Sequence, residues 1–206
     1  MCITLEQFQA ALAAANSPSE IANFCRKHVL HGTPHVFENR ENDFYEFRSR
    51  IAQRFEISFH EVIITGSAHL GFSPHKNTLF SLDSDIDVAL VSEKLFEEFI
   101  EIARSYQMQL RGARRSITVK EQQMYHEFLE YTVLGWIRPD KLPTSFQVNS
   151  TKDGWFDFFK SISYDRSEVG NYKVAGGVFR SYRHLELYTI SGIQGVRETL
   201  TLPNSK

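Results

Sequence analysis

Two short clusters in this chain carry groups that can do chemistry together: Gly66-Ser67, and Asp85 with Asp87 eighteen or more residues later. Asp85 and Asp87 are two apart at the start of Ile86-Asp87-Val88-Ala89-Leu90-Val91. On a strand, side chains alternate between faces, so the two carboxylates point the same way while Ile86, Val88 and Leu90 fill the other face. Two converging carboxylates repel each other, and one is driven towards its protonated form, unless a cation sits between them. Magnesium suits the position because it takes one or two carboxylates and completes its shell with substrate phosphates and water. Manganese, equally at home among oxygen ligands, is the alternative. Gly66 lets the backbone approach a ligand and adopt angles closed to other residues. A helix beginning at Ser67 or Ala68 turns its free N–H groups towards the end of the preceding run, which is an anion-binding arrangement. Carboxylates beside an anion cradle suit a metal-bound nucleoside triphosphate.

These groups need two strands to hold them. Val62-Ile63-Ile64, closed by Thr65-Gly66-Ser67, reads as the first, and residues 86–91 as the second. Between them lies a turn-rich segment in which 73–78 reads as an inserted loop; its Lys76 is a candidate phosphate contact at the mouth of the site. A third strand is expected over 172–179, Tyr-Lys-Val-Ala-Gly-Gly-Val-Phe, followed by Arg180, a candidate nucleotide contact, with Lys173 and Arg183 as further cations.

The pattern Gly66-Ser67-x-x-x-Gly71, followed by Ser84-Asp85-Ile86-Asp87 on a strand, resembles the core of the nucleotidyltransferase superfamily related to DNA polymerase beta, in its minimal bacterial form. The resemblance implies an α/β (α+β) fold, a small mixed sheet carrying both motifs and flanked by helices. It implies that Gly66 and Ser67 hold the triphosphate, and that Asp85 and Asp87 are the catalytic carboxylates and the ligands of Mg2+ or Mn2+. The implied activity is transfer of a nucleoside monophosphate from an NTP to a hydroxyl acceptor, with pyrophosphate leaving. The acceptor stays open among RNA, a nucleotide, a small molecule and a protein side chain, and a defence or toxin-type enzyme is compatible with the size. The alternative is a catalytically degenerate member that binds nucleotide or a protein partner as a regulator.

In such enzymes a third carboxylate comes from a later strand, and residues 172–179 contain none. The acid could come from elsewhere, with Glu186 the candidate. The metal could lower the acceptor's pKa without a dedicated base. Or the site binds nucleotide without turning it over. Gly176 and Gly177 on that strand allow a ligand or another backbone to come close.

The rest of the chain is mostly helical. Leu5, Phe8, Leu12 and Ala15 repeat at helical spacing over 4–15. Ser17-Pro18-Ser19-Glu20 is a cap, a first-turn proline and a capping-box partner, opening a second helix that stops near Gly32. Further helices are expected over 40–55, 93–110, 119–136 and 153–164, with a last one through Leu185, Tyr188 and Ile193. Arg48, Arg50 and Arg54 fall off the apolar stripe of the third helix and read as a solvated face. Arg111-Gly112-Ala113-Arg114-Arg115 either complements a helix dipole or forms a basic patch for an RNA acceptor. His69 and His75 lack metal-ligand spacing and read as hydrogen-bonding or surface residues.

The whole is expected to form a single domain, 1–206, with a helical N-terminal segment over about 1–57 and a helical insertion over about 93–165. Seventeen Phe and eight Tyr among 206 residues argue for a packed core rather than disorder. No apolar run is long enough to span a bilayer, so no membrane partner is expected, and no secretory signal is apparent. Cys2 and Cys25 have no metal spacing, which points to a reduced, cytoplasmic setting. The net charge of −2 gives no global attraction to nucleic acid, so any RNA contact must use a local patch.

Overall fold

The computed structural model describes residues 3–114, 116–142 and 151–201, with side chains from 154 onward in the last segment. In chain order its helices and strands are α1 (Leu5–Ala14), α2 (Pro18–His28), α3 (Glu41–Phe55), β1 (Val62–Thr65), α4 (Gly66–Leu70), β2 (Phe72–Ser73), β3 (Thr78–Leu79), β4 (Ile86–Val91), α5 (Glu93–Arg111), α6 (Val119–Val133), β5 (Trp136–Ile137), α7 (Thr151–Ser161), β6 (Val174–Phe179) and α8 (Tyr182–Thr201). The fold is mixed, with helices packed around a four-stranded sheet of order β1-β4-β6-β5 and a small β2-β3 hairpin beside it. β1 and β5 lie antiparallel to their neighbours, while β4 and β6 are parallel.

The helix starts follow from local chemistry. Thr4 with Gln7, Ser17 with Glu20, and Thr118 with Glu121 each form a reciprocal capping box, satisfying donors that the first turn leaves free. α6 ends sooner than its periodicity suggests. Gly135, at φ +75°, turns the chain out of the helix. Trp136 and Ile137 then pair with Phe179 and Val178 as an edge strand, where a helix through Trp136 was expected. The expected loop over 73–78 likewise contains a hairpin, closed by Asn77 at φ +53°.

The two sheet faces carry different packing. Val62 and Ile64, then Ile86, Val88 and Leu90, then Val174 and Val178 belong to the main core, together with buried residues of α3, α5, α6 and α7 such as Phe47, Phe99, Phe128 and Trp155. Each fully buried side chain of this size stabilises the fold by roughly 1.5–3 kcal/mol. On the other face Ala89 and Phe179 meet Leu185 of α8, with Leu30, Ile63 and Trp136 packed around them. α8 also closes a satellite core with α1 and α2, built on Phe8, Leu12, Phe24 and Ile193. The thiol of Cys25 lies in that satellite core, where burial, then the nearby Glu186 carboxylate, push it up to about 12. Cys2 lies outside the described residues. Among those residues, no helix is long and apolar enough to cross a membrane.

The glycines of β6 are spaces for rings. A Cβ on Gly176 would lie 2.2 Å from Cζ of Phe159, so α7 packs flat against this strand on the core face. A Cβ on Gly177 would lie 2.8 Å from Nε1 of Trp136 on the opposite face. Protein side chains therefore fill the close approach that the two glycines permit.

Candidate functional site at the converging ends of three strands

β1 runs antiparallel to β4, so its last residue, Thr65, pairs with Asp87 near the beginning of β4. β6 runs parallel to β4, so its first residue, Val174, pairs with Ile86. Gly66-Ser67, Asp85-x-Asp87 and Lys173 consequently meet at one end of the sheet, although nearly ninety residues separate the last from the middle pair. Thr65 Oγ1 donates a hydrogen bond to the Asp87 carbonyl at 3.3 Å, fastening the two motif strands where they meet.

The two motifs touch. Gly66, the first residue of α4, takes φ +67°, and a Cβ built on it would stand 3.0 Å from Asp87 Oδ2. Glycine adopts that backbone angle without strain and lets the carboxylate stand this close. α4 is brief: Gly71, at φ +85°, ends it by donating its N–H to the Ser67 carbonyl at 2.8 Å. Ala68, His69 and Leu70 are buried, and Ser67 is half-buried at the mouth. His69 donates from Nε2 to the His31 carbonyl at 3.2 Å, and burial lowers its imidazole below its ordinary value, as befits a neutral structural histidine. His75 is exposed on the hairpin turn.

Ser81 and Ser84 form the turn before the acidic pair, with the Ser84 N–H donating to the Ser81 carbonyl and the Ser81 N–H to Ser84 Oγ. Asp87 is exposed at this end of the sheet, yet desolvation by its surroundings raises its carboxyl above the usual range. The charge of Asp85 raises it further, while Lys173 and Lys76 pull it back. Lys76, exposed at the hairpin turn, is thus one of the cations facing the pair. The turn is tied down by Asn77 Oδ1, which accepts from Gln9 Nε2 at 2.9 Å.

Lys173 is the nearer cation. Its Nζ donates to Asp85 Oδ2 at 2.8 Å, and its carbonyl accepts from the Ile86 N–H at 2.8 Å, so both ends of the residue are fixed beside the acidic pair. Its ammonium is raised above the ordinary value, chiefly by the hydrogen bond to Asp85. Tyr188 of α8 packs on the same face of the sheet, towards the Phe179 end, and its phenol is raised first by burial and then by the Asp87 charge. Tyr188 is half exposed and packs on Trp136 at 4.5 Å and Phe179 at 5.5 Å between ring centroids.

Several candidates lie elsewhere. Arg180 follows β6 at its far end, beside Val91, roughly 16 Å along the strand from Asp87. There it faces Glu97 at 3.4 Å and Glu93 at 3.8 Å, so the fold does not bring it to Gly66, Ser67, Asp85 and Asp87. Glu186 is buried against α2, paired with Arg26 and, at 3.4 Å, with Arg183; those partners hold its carboxyl below the usual range. It is a structural ion pair and no third acid for this cleft. Ala175 is the β6 residue opposite Asp87, and it offers no polar group. Arg48 is not on a solvated face: it donates to the carbonyls of Val62 and Phe59, both at 2.9 Å, and braces the entry to β1. Arg50 pairs with Glu168. Of the basic stretch, Arg111 and Arg114 line an open hollow of about 530 Å³ with Arg104 and Met108, and none of the motif residues lines it; Arg115 lies outside the described residues.

The donor set at the cleft fits a single divalent ion. Among the described residues no group of three or more His, Cys, Asp or Glu side chains converges. Two carboxylates stand two residues apart at the start of β4, that of Asp87 raised by desolvation and then by the charge of Asp85, and magnesium needs no more than two when substrate phosphates supply the remaining ligands. The ion pair of Lys173 with Asp85 was the least legible part of the site, because it depends on the parallel pairing of β6 with β4. Against protein-family models, curated proteins and solved structures alike, the chain finds no match.

Proposed function

We propose that this chain is a metal-dependent nucleotidyltransferase of the DNA polymerase beta-like kind, moving a nucleoside monophosphate from an NTP to a hydroxyl acceptor. The observation that carries the proposal is the contact between its motifs: the missing Cβ of Gly66 would stand 3.0 Å from Asp87 Oδ2, so an anion-holding turn and a cation-holding carboxylate adjoin. Asp85 and Asp87 would hold Mg2+ or Mn2+, and the bound ion would neutralise phosphate charge and orient the transferring group. The free N–H groups at Gly66-Ser67 and the Ser67 hydroxyl bind the phosphates, and Lys76 and Lys173 add positive charge on the same side. RNA is an open acceptor, with the hollow at Arg104, Arg111 and Arg114 as the local patch it would use. A defence or toxin-type role in the cytoplasm is the setting proposed.

A second reading draws on one observation. Asp85 is already neutralised by Lys173, and β6 carries no acid beside Asp87. That favours a degenerate member which binds nucleotide, or a protein partner, as a regulator.

The test is a thermal shift with each of the four NTPs, with and without Mg2+, on the wild type and on Asp85→Asn/Asp87→Asn. At a hundredfold excess over its dissociation constant a ligand adds about 2.7 kcal/mol. For a chain of this size that is a rise of about 5–11 °C in Tm. A magnesium-dependent rise lost in the double variant supports the site, and incorporation of an α-labelled NTP then separates turnover from binding. Absence of a shift with every NTP would remove the proposal.

A further inference from the structure

The cation that the structure holds against the acidic pair is part of the chain. Lys173 reaches Asp85 Oδ2 at 2.8 Å from a backbone position locked to Ile86, so its placement is set by the sheet and not by a mobile loop. Lys173, Ala175 and Gly177 continue along β6 on the face that carries Asp85, Asp87 and Ala89 on β4, through the pairs Asp87–Ala175 and Ala89–Gly177. Beside the acidic pair the strand thus presents an ammonium and a methyl group and no carboxylate, while Trp136 covers Gly177. Sites that clamp the attacking and leaving oxygens of a phosphoryl transfer between two divalent ions need anionic ligands for both. Here two carboxylates are available, and one of them already accepts from an ammonium.

Charge balance gives the consequence. Two carboxylates, one fixed ammonium and one divalent ion carry the same net charge as three carboxylates around two divalent ions. A second divalent ion at this cleft would face the Lys173 ammonium with no third carboxylate to compensate it. Lys76 adds to that repulsion from the hairpin.

Building on the transferase reading, we propose that the ammonium of Lys173 takes the place of the second metal ion, so that the site binds one divalent ion per chain and Lys173 stabilises the negative charge that a second ion would meet. Lys173 is then a positioning and charge-stabilising residue for the triphosphate, and its link to Asp85 is the resting form of that group.

The experiment uses Mn2+ alone as the probe, with free ion followed by electron paramagnetic resonance, on the full chain and three variants. The wild type should bind one Mn2+ per chain. Lys173→Met should still bind one, about tenfold more tightly because a competing positive charge is gone, while its incorporation of labelled nucleotide falls at least as far. Lys173→Glu, which adds a third carboxylate, should bind two. Lys173 is about half exposed, so these variants leave the core intact, and unchanged circular dichroism checks that. Two ions on the wild type, or an unchanged affinity in Lys173→Met, would overturn the assignment of Lys173 while leaving the transferase reading in place. No Mn2+ on the wild type, or an ion that survives in Asp85→Asn/Asp87→Asn, would instead overturn that reading and this inference with it.

Discussion

Replacing Gly66 by alanine is the sharpest probe of the contact on which the site rests. Two penalties arise, and they can be separated. The first is conformational: Gly66 sits at φ +67°, and a side chain in the left-handed region costs about 1–2 kcal/mol. For a chain of this length that lowers Tm by about 2–8 °C. The second is local. The new methyl would stand 3.0 Å from Asp87 Oδ2, a tight contact that a small shift must relieve, with Asp87 Cβ and Cγ both at 3.9 Å. The carboxylate can swing away, so this clash adds little to the stability loss. It moves the oxygen that would hold the ion, and a misplaced ligand should weaken Mn2+ about tenfold or more. Gly32→Ala is the control. Gly32 is also at positive φ, +100°, yet a Cβ there meets nothing within 4 Å. Gly32→Ala should therefore lose comparable stability and bind Mn2+ as the wild type does. The assay is a denaturation curve and an Mn2+ titration on each protein. If Gly66→Ala binds Mn2+ like the wild type, or Gly32→Ala weakens it equally, the contact between the motifs has no part in metal binding.

Gly176→Ala tests the other face of the sheet: its Cβ would fall 2.2 Å from Phe159 and 2.9 Å from Trp155, so overpacking should cost about 1–3 kcal/mol in a urea melt while Mn2+ affinity stays put. A loss under about 0.5 kcal/mol would mean that α7 shifts freely off β6. Glu186→Gln should cost about 1–2 kcal/mol at pH 7, because charge-assisted hydrogen bonds to Arg26 and Arg183 are lost and Arg26 is half exposed. The Glu186 carboxyl is depressed in the fold, so its contribution is fully present above the unfolded value of about 4.3 and disappears as pH falls through the folded value. Melts of both proteins between pH 7 and pH 3 should therefore converge on the acid side, and a gap that stays constant would show that Glu186 acts through packing rather than charge.

What the sequence determined by itself is whatever nearby residues decide. Ser17, Pro18 and Glu20 set the start of α2 because a cap needs only the next three residues. The strands at Val62 and Ile86 followed from apolar and β-branched runs ended by Thr65-Gly66 and preceded by Ser84-Asp85, and alternation put Asp85 and Asp87 on one face before any partner was known. The Phe and Tyr content likewise fixed that a dense core exists, though not which rings meet.

Only the tertiary structure decided what depends on register and crossover. The parallel pairing of β6 with β4 sets Lys173 beside Asp85 and sends Arg180 to the opposite end of the sheet; both are cations flanking one strand, and the sequence reading favours Arg180. Trp136 left the helical pattern because Gly135 turned the chain and Phe179 offered an edge to pair with, a partner more than forty residues away. Glu186 was the nearest acid in sequence after the third strand, but the packing of α8 against α2 gave it to Arg26. Local chemistry chooses an element and its faces. Which end of a strand meets which charge is settled by hydrogen-bond register between segments that the chain must first bring together, and no window of neighbouring residues contains that information.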